Sequence, residues 1–102
     1  MKIDVVRLGN NAAYPISFED WADQNSFSVR VREMSRNNFY AELVPFTEEM
    51  KNGMLQGCYG YGSTPESAVL ALAEYLPGRR LAVHAYGAYR REIKVPTEWA
   101  TK

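Results

Sequence analysis

The stretch Gly60-Tyr61-Gly62-Ser63-Thr64-Pro65-Glu66-Ser67-Ala68-Val69-Leu70-Ala71-Leu72-Ala73-Glu74-Tyr75-Leu76-Pro77-Gly78 decides the fold. Thr64 is placed as a helix N-cap. Pro65 takes the first helical position, where its missing N–H costs nothing, and Glu66 complements the positive end of the helix dipole. Ala68, Val69, Leu72, Tyr75 and Leu76 make a broad apolar face, and Pro77-Gly78 ends the segment. The spacing predicts a helix over 65–76. A helix with so little polar surface needs a sheet to cover it, so strands are expected around it.

Those strands are legible upstream. Phe27, Val29 and Val31 alternate with Ser28, Arg30 and Arg32, the period of a half-buried strand. Asn37-Asn38 is a turn signal, because Asn tolerates positive φ. From Phe39 to Phe46 the alternation resumes, with Phe39, Ala41 and Leu43 on the apolar face and Tyr40 and Glu42 opposite. The pair reads as a β-hairpin whose polar face brings arginines near Glu42. Pro45 limits the end of its second strand. Residues 47–54 are polar and close on Asn-Gly, a turn dipeptide. Leu55 to Tyr61 is a third strand, weakened by its glycines.

Earlier in the chain a short helix is expected over 17–24. Ser17 is its cap and Asp20 stands in a capping-box position. Ile16 and Trp21 form a staple, Phe18, Trp21 and Ala22 share one face, and Asn25 is a left-handed stop. Beyond the long helix, Leu81–Ala85 and Arg91–Val95 read as strands joined around Tyr86-Gly87, and 97–102 is expected to fray. Ile3 to Leu8 is a candidate edge strand. The expected architecture is a single α+β domain over residues 1–102. It has a mostly antiparallel sheet of about five strands and two helices.

Composition agrees with one such domain. The chain has 102 residues, 46 % hydrophobic and 24 % charged, with 12 basic and 12 acidic side chains and no net charge. That apolar content excludes a disordered chain, and no apolar run reaches the roughly 20 residues a membrane helix needs. The opening Met1-Lys2-Ile3-Asp4 carries no apolar leader and Cys58 is the one cysteine, both expected of a cytoplasmic protein.

Chemistry-bearing residues are few. His84 is the sole histidine and falls in an expected strand, with no nucleophile or carboxylate placed beside it in sequence. Cys58 lacks a cationic neighbour that would activate it. No spacing suits a metal. The reading is therefore no catalytic residues, no metal and no cofactor. The turn containing Gly60, Gly62, Ser63 and Thr64 is a weak anion-cradle candidate, because a glycine-rich strand end enters a helix N-terminus there. It lacks a P-loop lysine, and room for a bulge and a tight helix start accounts for the glycines more simply.

The stronger signal is charge. Residues 1–51 carry six bases and eight acids, whereas 52–102 carry six bases and four acids. Arg79, Arg80, Arg90 and Arg91 cluster around Tyr86 and Tyr89, and arginine with tyrosine is the composition of interface anchors. A protein partner ranks first for this patch, a plain solvated turn close behind, and nucleic acid third, since a neutral chain has no global positive field. No membrane partner is expected. Exposed strand edges leave a homodimer open.

Taken in order, the segment 16–22, the hairpin, Gly60 to Ala68, Gly78-Arg79-Arg80-Leu81 and Arg90 to Pro96 resemble small proteins of tailed phages and prophages. The part from Phe39 to Leu76 is similar to the strand–strand–helix core of HicB-type antitoxins, where a Gly-Thr-Pro-Glu-Ala-like turn opens the helix. The resemblance implies an accessory protein that binds a host or phage macromolecule, such as an inhibitor of a host enzyme or defence system. The alternative it implies is a nucleic-acid-binding or antitoxin-type regulator.

Overall fold

A computed structural model describes residues 16–100 of the chain. Within them lie α1 (Phe18–Gln24), β1 (Ser28–Ser35), β2 (Asn38–Val44), β3 (Thr47–Lys51) and β4 (Met54–Gly57). Then follow β5 (Gly60–Gly62), α2 (Pro65–Tyr75), β6 (Arg80–Val83) and β7 (Arg91–Lys94). The α+β class holds. The strands form two antiparallel sheets instead of the single five-stranded sheet expected, ordered β1-β2-β5 and β4-β3-β6-β7.

Both helix starts follow the sequence. Ser17 Oγ accepts the Asp20 N–H at 3.1 Å. Thr64 Oγ1 accepts from the Ser67 N–H at 3.1 Å while Ser67 Oγ accepts from the Thr64 N–H at 3.0 Å, a reciprocal capping box. The first stop differs from expectation by one position. Asn25 has φ −99° and it is Ser26, at φ 62°, that turns left-handed.

The division into two sheets comes from one long, bent hairpin. β3 and β4 pair across Asn52-Gly53, with φ of 54° and 77° at the turn, as a two-residue hairpin loop requires. Further from the turn the same two arms become β2 and β5 and pair again. Between the two pairings one arm carries residues 42–47 and the other only 58–59. The arms cannot stay in step, and the ladder breaks into two sheets. Hence the expected strand 55–61 is two strands, and the polar segment 47–54, in which only the Asn-Gly turn was expected, contains β3.

Helix α2 lies on one face of the first sheet, above Ala41, Leu43, Gly60 and Gly62. A Cβ on Gly60 would sit 2.1 Å from the Leu72 backbone nitrogen, and one on Gly62 would sit 2.2 Å from Ser67 Oγ. Only glycine permits this approach. Ala41, Leu43, Ala68, Leu72 and Leu76 fill the space beneath, and Leu81, Val83 and Val95 continue the core under the second sheet.

A second cluster closes the other end. Phe18, Trp21 and Phe27 meet Trp99, whose ring centroid lies 5.5 Å from Phe18 and 5.4 Å from Trp21. The Trp99 indole donates to the Ala73 carbonyl, and the Ala100 N–H donates to the Ile16 carbonyl at 3.0 Å. Residues 97–100 are thus tied to α1 and α2 rather than frayed. The candidate strand at 3–8 and residues 101–102 lie outside the described residues.

Candidate functional site

The basic segment that stood out in sequence is divided by the fold. Arg79 turns inward. Its NH1 donates to Glu49 Oε2 at 3.0 Å, its Nε donates to the Tyr75 carbonyl at 2.8 Å, and its guanidinium carbon lies 4.0 Å from the centre of the Tyr75 ring. Arg91 reaches the opposite way, donating to the Asn25 carbonyl at 2.8 Å with its guanidinium 5.4 Å from the Phe27 ring. These two arginines fasten helices to strands.

Arg80 and Arg90 stay together on the outer face of the second sheet. Both pair with Glu92, at 3.5 and 3.0 Å. Arg90 also donates to the Ala85 carbonyl at 3.1 Å and approaches Met50 Sδ at 3.9 Å, so it pins the 84–90 turn to the sheet. Arg80 and Arg90 line an open hollow of about 400 Å³ with Met50, Gly53, Met54 and Leu55. The 84–90 turn presents Tyr86 and Tyr89, 87 and 85 % exposed. It starts earlier than the sequence suggests: β6 ends at Val83, and His84 adopts φ 54° on the surface.

The glycine turn reads as helix packing. Gly60 and Gly62 admit α2, and Thr64 and Ser67 spend their N–H and hydroxyl groups on each other. Ser63 is exposed beside them.

Behind the hollow, β3 carries a buried polar knot invisible to apolar periodicity. The Glu49 carboxylate, 3 % exposed, accepts from the Tyr75 hydroxyl, from Gln56 Nε2 at 3.1 Å and from Arg79. Burial pushes this carboxyl up, but hydrogen bonds from Tyr75, Gln56 and Arg79, with the Arg79 charge, outweigh it and hold its pKa below the ordinary value. The Tyr75 hydroxyl moves up, chiefly through its bond to Glu49 and then through burial. Cys58 is 1 % exposed. Burial, and then the nearby Glu49 charge, raise its thiol to about 11, so the nucleophilic thiolate is scarce at neutral pH. Among the described residues no three His, Cys, Asp or Glu side chains gather as a metal site.

One surface was legible in sequence only in part: the hairpin's polar face was expected, but not the tyrosines that join it. On the face of the first sheet opposite α2, Arg32 pairs in register with Tyr40, and Tyr40 with Tyr61. Tyr59 joins them, its ring centroid 5.5 Å from Tyr40, 6.2 Å from Tyr61 and 6.1 Å from Phe46. Only the strand register, which places position 61 beside position 40, reveals this row.

Comparison with protein-family models, with curated proteins and with solved structures finds no match. No helix among the described residues is long and apolar enough to cross a membrane.

Proposed function

We propose that the chain is a small, non-catalytic accessory protein of the phage type that acts in the cytoplasm by docking on a host or phage protein, with inhibition of a host enzyme or defence system as the outcome. The observation that carries this reading is the outer face of the second sheet. There Met50, Met54 and Leu55 line a hollow with Arg80 and Arg90, and the turn that Arg90 ties to the sheet carries the exposed Tyr86 and Tyr89. Methionine, tyrosine and arginine are the side chains that interfaces favour, because they combine apolar area with directional polar contacts. Such a surface suits a partner that offers an apolar side chain flanked by carboxylates.

The reactive groups support a binding role. Cys58 is buried and protonated, and His84 stands on a surface turn. The resemblance to phage proteins supplies the biological setting.

The test starts by using the whole chain as bait in host lysate. The recovered protein is then purified and titrated against wild type, Arg80→Ala/Arg90→Ala and Met54→Asp. All three altered side chains lie on the surface, and circular dichroism of each variant checks that the fold survives the loss of the Arg90–Ala85 tie. A loss of about tenfold or more in affinity for each variant supports the reading. Unchanged affinity in both variants, or no saturable partner at all, overturns it.

A further inference from the structure

The open face of the first sheet differs from the hollow in both shape and charge. Strand alternation sends Val29, Val31, Ala41 and Leu43 toward α2 and leaves Arg30, Arg32, Tyr40, Glu42 and Tyr61 on the far side. Tyr61 is 59 % exposed and Phe46 46 % exposed, while Tyr40 and Tyr59 are half-buried between them. Each of the three tyrosine rings lies within 6.2 Å of its neighbour, so the rings form one continuous aromatic strip.

The rows around that strip are net positive, with Arg30 and Arg32 against Glu42. Glu42 is the acid in these rows, and it is 6 % exposed and held by Arg30 Nε and NH2 at 3.0 and 2.8 Å. Arg32 is exposed and makes no ion pair or side-chain hydrogen bond with another described residue. It stands at the end of the row that contains Tyr40 and Tyr61. What this face offers a ligand is therefore a run of tyrosine rings inclined 44–47° to their neighbours, with a guanidinium at its edge that meets no partner among the described residues. An acidic peptide would leave the ring faces unused.

We infer that this face is a stacking platform for single-stranded nucleic acid, with bases laid on Tyr61 and Tyr40 and a phosphate held by Arg32. Bases present a π-face whatever their sequence, so such a platform recognises an unpaired strand and excludes a duplex, whose bases are already stacked. With one or two phosphates neutralised, the salt dependence is shallow. The slope of log affinity against log salt is about −0.7 per phosphate for single strands.

The experiment is fluorescence anisotropy of the whole chain with labelled oligouridine and oligothymidine of about a dozen nucleotides, and with a duplex of equal length, from low salt to about 0.2 M. The expected result is saturable binding of the single strands and none of the duplex. Tyr61→Ala weakens it about tenfold, whereas Tyr61→Phe, which keeps the ring, restores it. Arg32→Ala flattens the salt slope by about 0.7. Arg80→Ala/Arg90→Ala leaves the titration unchanged, so failure here and failure of the protein-docking reading are separable.

Absence of binding at low salt overturns the inference, as does equal binding of the duplex or indifference to Tyr61→Ala when circular dichroism shows a native fold. Preference between the two oligomers tells RNA from DNA. If no oligomer binds and Tyr61→Ala instead abolishes capture of a purified protein partner, the face is a protein interface and the inference fails.

Discussion

The two sheets of this small domain are held by opposite means. The first is pressed close against α2, with Gly60 and Gly62 lacking the Cβ that would collide with the helix and apolar side chains filling the rest of the contact. The second is tied to the same helix by polarity, through Glu49, Tyr75, Gln56 and Arg79. The difference decides which charges remain for other uses. Where packing is dry, the arginines of β1 keep to the outer face and Arg32 meets no partner among the described residues. Where packing is polar, Arg79 is consumed by the fold and Arg91 by a carbonyl and a phenyl ring. Local charge density in a sequence therefore overstates what a surface can offer, because fastening uses some of it.

The largest effect should follow from spoiling the dry contact. Gly60→Ala places a methyl 2.1 Å from the Leu72 nitrogen, which forces α2 off the sheet. A loss of about 3 kcal/mol or more is expected in urea denaturation, near the upper end for overpacking. A loss below about 1 kcal/mol would mean that the helix does not ride so close to β5.

Spoiling the polar contact should cost somewhat less and should depend on pH. The folded Glu49 carboxyl titrates below its unfolded value of 4.5, so its contribution is complete above that value. It is lost as pH falls through the folded pKa. Glu49→Gln is expected to cost about 2 kcal/mol at neutral pH and to flatten the decline in stability below pH 4.5. If the variant and wild type lose stability in parallel across that window, the carboxylate is not the group responsible.

A smaller effect is expected at Thr47, whose buried Oγ1 makes no hydrogen bond of good geometry and has only the Cys58 thiol close by. Thr47→Val removes an unsatisfied hydroxyl, and stability should stay level or rise by less than about 1 kcal/mol. A clear loss would show that the hydroxyl is bonded after all. Cys58 offers a test without mutation. A thiol at about 11 and out of solvent should react with an aromatic disulfide reagent far more slowly in the folded chain than in urea.

The uneven legibility of the sequence has the same origin as the contrast between the sheets. Helix starts at Ser17 and Thr64 and the hairpin from Phe27 to Leu43 were readable because caps, turns and alternation act over a few residues. The Arg30–Glu42 pair followed from that alternation once the turn was placed. β3 was not readable, because its inward positions are Thr47 and Glu49 and carry no apolar signal. The partners that make Glu49 tolerable there, Tyr75 and Arg79, lie 26 and 30 residues away. The tyrosine row was hidden for a related reason. Tyr61 reaches Tyr40 only through the unequal arms of the bent hairpin, and no local pattern encodes that offset.

The central claim is that Arg79, beside the second sheet, serves the fold through the buried Glu49 while Arg32 of β1 does not. It is tested most directly by urea unfolding of Arg79→Ala and Arg32→Ala beside wild type at neutral pH. Arg79→Ala leaves a buried carboxylate short of its cation and should lower stability by about 2 kcal/mol. Arg32→Ala should stay within about 0.5 kcal/mol of wild type. Equal losses in the two variants, or a larger loss for Arg32→Ala, would contradict the division of labour between the sheets.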